Sequence, residues 1–189
     1  NFKGDELIIA DEKNPLALAG IMGGDSSSVD DNTKEIFIES AFFNPIDIAG
    51  KARSFGLSTD SSHRFERGVD FKNTLIVLER AASLIRKYCG GEYSNILDIQ
   101  NNLPKRKPIL LRTHKVSNIM GVIIKDEDVR SVLDKLNLTY DEKKGSFLVT
   151  PPSFRFDLSI EEDLVEEVIR IYGYNNIPTL LPANKAEML

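Results

Sequence analysis

The most restrictive feature of this sequence is a pair of prolines, Pro104 and Pro108, that enclose the basic triplet Lys105-Arg106-Lys107. Closely spaced prolines interrupt helices and strands, and a charged triplet between them is typical of an exposed linker. The charge also changes here, because the first 104 residues carry the whole formal charge of −5 and the remainder is neutral. We therefore predict this division: domains at 1–104 and 108–180, a linker at 105–107 and a tail at 181–189.

The composition indicates a folded protein of a reducing compartment. An apolar fraction of 41% supplies enough material for a core, and no uncharged apolar run reaches the roughly 18 residues that a membrane span needs. The single cysteine, Cys89, excludes an internal disulfide framework and a cysteine-based zinc site. The chain opens on Asn1 without a signal peptide, so we expect a piece of a longer, cytoplasmic protein.

The first domain is predicted to mix strands with helices, as an α+β or mixed α/β fold. Apolar runs with the length and composition of strands occur at Leu7–Ala10, Leu16–Met22 and Ile36–Phe43. A long helix is expected from Asn73 to Tyr88, because apolar residues recur there at helical spacing and Gly90 follows as a terminator.

The second domain has the order helix, helix, hairpin, helix, which resembles a small winged-helix domain of three helices with a β-hairpin. Unrelated proteins share this order, so it defines no function by itself. The expected boundaries are a helix from Thr113 to Gly121, a helix capped by Asp126, a hairpin turn at 142–145, and a helix opened by a Ser159/Glu162 capping box and closed by Gly173.

Three features of the first domain are candidates for a binding site. The glycines of Gly20–Gly24 either let the backbone approach a ligand or form a tight turn. Glu39 lies among apolar residues, and a half-buried carboxylate there either binds a ligand hydroxyl or is an edge-strand charge that deters aggregation. The polar run 58–68 can hold a polar ligand or phosphates, and its His63 is more typical of a structural role than of catalysis.

Four carboxylates of the second domain form the other candidate site. Three of them fall within an arc of about 100° on the last predicted helix, and convergent oxygen ligands of this kind suit Mg²⁺. The alternative is a solvated helix face that Arg170 neutralises. The four residues are Asp157, Asp163, Glu166 and Glu167.

Five strings in register resemble the β chain of bacterial phenylalanyl-tRNA synthetase across essentially the whole sequence. They are Gly20–Gly24, Glu39–Phe43, Thr59–Asp70, Pro152–Asp157 and Glu161–Pro178. The resemblance implies that residues up to about 104 are the C-terminal part of an editing domain, and that a small nucleic-acid-binding domain follows.

The resemblance also implies how an editing site works. An apolar pocket rejects an added hydroxyl only about a hundredfold, so tyrosine mistaken for phenylalanine needs a second, hydrolytic site. Glu39 matches the residue that recognises the tyrosine hydroxyl, and Thr59 one that positions the water and the ester. Gly23 and Ser61 match further pocket positions. The family's site histidine would precede Asn1, so we expect this piece alone to edit poorly.

For the second domain the resemblance implies Mg²⁺ bound by the four carboxylates jointly with the α chain, and no tight metal site without that chain. It further implies a heterotetramer of two α and two β chains that binds the tRNA for phenylalanine, with ATP used on the α chain. A non-enzymatic winged-helix module that binds RNA or protein is the alternative function, and a spacer that seats the α chain is another.

Overall fold

The structure is a computed structural model that describes residues 4–179. The chain divides into two compact units that meet between Pro104 and Lys105, and each is described here by itself. Both units combine helices with a three-stranded antiparallel sheet, so the predicted α+β class is confirmed. No helix within 4–179 has the length and apolarity to cross a membrane.

The first unit holds a small sheet followed by helices. Strands β1, β2 and β3 pair antiparallel in sequence order. The elements are β1 Ile8–Ala10, β2 Pro15–Leu18, β3 Met22–Gly23, a 3₁₀ turn Asp25–Ser27, α1 Pro45–Ile48, α2 Lys51–Ser54, α3 Asp60–Phe65 and α4 Thr74–Cys89. The predicted strand Leu16–Met22 is therefore two strands, since the chain turns at Gly20 with a φ of +66°.

The predicted strand Ile36–Phe43 is wrong, because this segment is extended without pairing to any strand in residues 4–179. The side chains of this segment nevertheless alternate between two sides, as they would in a strand. The Ser40 hydroxyl donates to the Thr74 carbonyl (2.8 Å) and Phe42 packs against Phe71, while the intervening side chains point the other way. A β-favouring sequence thus becomes an extended segment held by side chains instead of a sheet ladder.

The core of the first unit is small and lies beneath the turn at Gly20. Ile21, Ile48 and Ala52 are buried there, and partly buried apolar side chains surround them. Among these, the rings of Phe43 and Phe65 have centroids 5.0 Å apart. The aromatic pair joins the extended segment to α3, which fixes the two elements that line the site described below.

The second unit has a larger core. Its sheet has the strand order β4-β6-β5, and the helices α5, α6 and α7 complete the unit. The elements are β4 Ile109–Arg112, α5 Thr113–Met120, α6 Asp126–Lys135, β5 Thr139–Lys143, β6 Ser146–Thr150, α7 Glu161–Tyr172 and a 3₁₀ turn Tyr174–Asn176. Side chains exposed by less than 2% include Leu111, Val116, Val129, Leu133, Phe147, Val149, Leu158, Leu164 and Val168.

The start of α7 differs from the predicted capping box. Ile160 precedes the helix, and the Asp163 carboxylate accepts the backbone N–H groups of Ser159 (2.7 Å) and Ile160 (2.9 Å). The capping carboxylate therefore belongs to Asp163, because the helix begins one residue later than predicted and the third helical residue shifts with it. Glu162 pairs with Lys115 instead, and Gly173 ends the helix as predicted.

Arg106 differs from the expectation of a solvated linker. Its guanidinium is partly buried, donates to the carbonyls of Arg155 and Leu158, and lies 5.4 Å from the ring centroid of Phe156. The middle of the basic triplet therefore anchors the start of the second unit to the loop before α7.

Candidate functional site

A cleft of about 400 Å³ opens in the first unit between the glycine-rich turn, the extended segment and α3. Its walls are mostly apolar, and Glu39 is the single ionisable residue among them. The lining residues are Ile9, Ala17, Leu18, Gly20, Ile21, Met22, Gly23, Glu39, Ala41, Phe43, Thr59, Ser61 and Phe65. All four residues predicted for the first domain's site therefore meet at one cleft.

The glycines of the turn have different roles. A Cβ on Gly20 would lie 3.0 Å from the Phe43 ring and 3.2 Å from the Phe65 ring, and one on Gly24 would lie 2.5 Å from the Leu16 carbonyl oxygen. A Cβ on Gly23 would meet nothing within 4 Å. Gly20 and Gly24 are thus required by packing, whereas a side chain at Gly23 would occupy open space at the cleft.

Glu39 lies on the cleft side of the extended segment, together with Ala41 and Phe43. The residue as a whole is exposed, but its carboxyl group loses part of its hydration to the neighbouring cleft walls, in line with the expected half-buried carboxylate. Desolvation by the surrounding apolar walls still raises the pKa of Glu39 above its usual value. No residue in the described range 4–179 donates a hydrogen bond or forms an ion pair with this carboxylate, which leaves it available to a ligand.

Thr59 joins the glycine-rich turn to α3. Its hydroxyl donates to the Ile21 carbonyl (2.8 Å) and accepts the backbone N–H of Ser62 (3.0 Å), so it caps the helix and holds the turn at once. The Ser62 hydroxyl returns a contact to the Thr59 backbone, which completes the capping box. The sequence signal for this box is the Thr-x-x-Ser spacing, and the prediction of Thr59 as a substrate-positioning residue missed it.

Ser61 also lines the cleft and is partly buried. Its hydroxyl has no hydrogen-bond partner among residues 4–179. His63, two residues further along α3, is exposed and does not line the cleft. The two hydroxyls predicted for this site are therefore in different bonding states, since that of Thr59 is engaged and that of Ser61 is not.

Two of the four predicted metal ligands are held by arginines. The Arg155 guanidinium bonds Asp157 (2.7 Å) and the Glu167 carboxylate (3.0 Å), and Arg170 also pairs with Glu167. The Arg155 guanidinium lowers the pKa of Asp157. Glu167 is only 9% exposed, so this carboxylate is a buried, paired group and not part of a solvated helix face.

The other two carboxylates, Asp163 and Glu166, form no ion pair with Arg155 or Arg170 within residues 4–179. Asp163 caps α7, and although burial alone would raise its pKa, the hydrogen bonds from Ile160 and Ser159 hold the pKa below its usual value. Glu166 is exposed. Within residues 4–179 no three histidine, cysteine or acidic side chains come together as a metal site. As arranged in this chain, the four residues do not fit a Mg²⁺ ligand set.

The sequence prediction also missed an anchor at the first residue of α7. The Glu161 carboxylate accepts hydrogen bonds from the backbone N–H of Arg112 (2.9 Å) and from the Arg112 guanidinium (2.6 Å). It also forms an ion pair with Lys115 (3.1 Å). These partners lower the pKa of Glu161 to about 2. Because the pKa of Glu161 is lower in the folded protein, its ionised form stabilises the fold at pH values above the usual carboxyl pKa. This stabilisation is lost as the pH falls towards 2. No local spacing signal marks the contact, since 49 residues separate Glu161 from Arg112.

The buried position of Glu167 makes Arg155 important for stability. Replacing Arg155 with glutamine leaves Glu167 with one arginine, and we expect the free energy of unfolding to fall by about 1–3 kcal/mol. Arg130→Gln is the matched control, because Arg130 forms an exposed pair with Glu142 and its loss should have a clearly smaller effect than the loss of Arg155. Equal effects of the two variants in urea unfolding would contradict the buried-pair interpretation.

Comparison with known proteins identifies the class. The family described as the B3/4 domain matches residues 1–90, and the family described as the tRNA synthetase B5 domain matches residues 109–174. The first unit therefore contains a B3/4 region and the second a B5 domain of the kind described for tRNA synthetases, which gives the class as the aminoacyl-tRNA synthetases.

Individual relatives narrow the class. The phenylalanine–tRNA ligase β subunit of Psychrobacter arcticus is 50% identical over 100% of this chain and 24% of its own length. The β subunit of Dechloromonas aromatica is 47% identical over 97% of this chain and 23% of its own length. The β subunit of Thiobacillus denitrificans is 48% identical over 98% of this chain and 24% of its own length. The chain belongs to the family of phenylalanine–tRNA ligase β subunits, and it spans about a quarter of the length of these curated relatives.

Proposed function

We propose that the cleft of the first unit is part of an editing site that hydrolyses tyrosyl-tRNA. The observation that supports this most is the Glu39 carboxylate, which lines an otherwise uncharged cleft and has a raised pKa from desolvation. Apolar walls such as Ile21 and Phe43 suit an aromatic ring, and about 400 Å³ lies within the range of small-molecule sites. Gly23 lines the cleft without a side chain that would fill it.

Selectivity follows from the hydroxyl that distinguishes tyrosine from phenylalanine. A phenol O–H that enters the cleft donates a hydrogen bond to Glu39 and replaces the water that the carboxylate loses. A phenylalanine ring displaces the same water without providing a donor, so the carboxylate is left unsatisfied. Sites built to bond a hydroxyl reject analogues that lack it far more strongly than apolar pockets reject the hydroxyl itself.

The proposal extends to the whole protein that the relatives represent. We propose that this whole protein is a cytoplasmic ligase that attaches phenylalanine to its tRNA with ATP, as a heterotetramer of two α and two β subunits. ATP would act on the α subunit and not on this chain. Any Mg²⁺ site at Asp157, Asp163, Glu166 and Glu167 would depend on the α subunit, since Arg155 and Arg170 already hold two of these carboxylates.

A deacylation assay tests the proposed function. The assembled enzyme, incubated with tyrosyl-tRNA prepared for the phenylalanine tRNA, is expected to release tyrosine much faster than it releases phenylalanine from phenylalanyl-tRNA. Filter binding of deacylated tRNA provides the comparison. Tight, salt-sensitive binding without any tyrosyl-specific hydrolysis would contradict the proposal and favour an RNA-binding role.

A further inference from the structure

The cleft of the first unit offers a ligand one strong hydrogen-bond acceptor. Glu39 is the single ionisable residue on its walls, and within the described residues 4–179 no lysine, arginine, histidine, asparagine or glutamine lines it. An ionised carboxylate has about four lone-pair sites and no proton, so it accepts hydrogen bonds and donates none. In the part of the chain that the structure describes, no group bonds to the Glu39 carboxylate, so its accepting capacity is open to a ligand.

The surroundings of Glu39 make an unsatisfied carboxylate costly. Ala41 and Phe43 line the cleft on the same side of the extended segment, and the loss of hydration there raises the pKa of Glu39. A ligand group that brings a proton replaces the lost water, whereas a group without a proton leaves the carboxylate unsatisfied. The property that selects the ligand is thus the proton of the entering group and not its oxygen.

More than one substituent at the para position of a phenylalanine ring carries such a proton. A phenol oxygen brings one, and an aromatic amine brings two. An amine attached to an aromatic ring is uncharged at neutral pH, so it enters an apolar cleft without the cost of burying a cation. A methyl group has nearly the same size as the amine and brings no polar proton, and an ether oxygen only accepts.

We infer that the cleft hydrolyses a class of aminoacyl-tRNA esters whose aromatic side chain ends in a small, uncharged hydrogen-bond donor, and that the para-amino analogue of phenylalanine belongs to this class beside tyrosine. The inference rests on the proposed editing function and widens its substrate class. Para-methyl and para-methoxy analogues lie outside the class, because neither brings a proton to Glu39.

The reaction is the same for every member of the class. The oxygen of a water molecule bonds to the ester carbonyl carbon, and the bond from that carbon to the ribose oxygen breaks. One water proton ends on the ribose oxygen and the other is released to solvent as the carboxylate forms. Two saturated carbons separate the ring from the ester, so the para substituent changes the rate through its contact with the cleft and not through the reactivity of the ester.

The test measures single-turnover deacylation by the assembled enzyme of four esters on the phenylalanine tRNA. The para-amino ester is expected to be hydrolysed within about tenfold of the tyrosyl ester, and at least about tenfold faster than the para-methyl ester, which matches it in size. The para-methoxy ester should be as slow as the para-methyl ester. Equal rates for the amino and methyl esters would show selection by size, and a methoxy ester as fast as the amino ester would show that a donor of the protein contacts the substituent; either result overturns the inference.

A variant of Glu39 provides a second measurement. An amide both donates and accepts, so Glu39→Gln should reduce the ratio of the amino to the methoxy rate by at least about fivefold. Glu79→Gln is the matched control, because Glu79 is exposed on α4 and does not line the cleft, and it should leave this ratio unchanged. An unchanged ratio in Glu39→Gln would contradict the inference. If the wild-type enzyme fails to hydrolyse tyrosyl-tRNA, the proposed function fails and this inference with it; if tyrosyl-tRNA is hydrolysed and the amino ester is as slow as the methyl ester, only this inference fails.

Discussion

Replacing Glu39 with glutamine in the assembled enzyme is expected to reduce the preference for tyrosyl-tRNA over phenylalanyl-tRNA in hydrolysis by about tenfold to a hundredfold. A hydrogen bond to a charged group contributes about 1.5–3 kcal/mol, and an amide of the same size accepts the phenol proton less strongly. The preference is measured as the ratio of the two single-turnover rate constants. A ratio that does not change in Glu39→Gln would contradict the role of Glu39.

The raised pKa of Glu39 adds a pH dependence whose sign can be derived. The carboxylate is the form that accepts the phenol proton, so the preference should be lost as the pH falls through the raised pKa, at a higher pH than for an ordinary glutamate. Desolvation disfavours the charged form, so above this pKa Glu39 reduces the stability of the folded state. Glu39→Gln should therefore increase resistance to urea at neutral pH while it lowers selectivity. Reduced resistance would contradict the desolvation argument.

The second large effect is expected from a pair of glycine substitutions only three residues apart. Gly23→Val places a side chain in open space at the cleft, so we expect unchanged stability within about 0.5 kcal/mol and a loss of tyrosyl-tRNA hydrolysis of about a hundredfold or more. Gly20→Ala adds one carbon at a φ of +66° beside the rings of Phe43 and Phe65, and should cost about 2–4 kcal/mol.

The contrast between the two variants is the informative result. Urea unfolding and hydrolysis are measured on both, and the larger side chain should give the smaller change in stability. A Gly23→Val enzyme that unfolds as early as Gly20→Ala would show that Gly23 is a packing glycine. One that folds and hydrolyses tyrosyl-tRNA normally would show that the substrate does not enter beside Gly23.

Sequence patterns predicted the elements that depend on local signals. The helix ends at Gly90, Gly121 and Gly173 follow from the positive φ that glycine permits, and all three are confirmed. Helical spacing likewise located α4 to within one residue at each end. The side of the extended segment that carries Glu39 followed from strand alternation, although no strand pairs with it.

The parts that sequence reasoning missed depend on contacts between distant residues. The Thr59 hydroxyl donates a hydrogen bond to the carbonyl of Ile21, which lies 38 residues away in sequence. The hydroxyl therefore already has a partner within the folded protein. Arg155 pairs with Glu167 and Asp157, and the spacing of these carboxylates did not predict that contact. Helical geometry predicts that three of the carboxylates fall in one arc, but it contains no information on which cations pack against them.

The position of a bound tyrosine tests the central claim most directly. In a crystal structure of the assembled enzyme soaked with tyrosine, the phenol oxygen should lie within hydrogen-bond distance of the Glu39 carboxylate, at about 2.5–3.0 Å, with the ring against Ile21 and Phe43. Tyrosine bound in the cleft with its hydroxyl directed away from Glu39, or a cleft that remains empty while tyrosine binds elsewhere in the β subunit, would contradict the account.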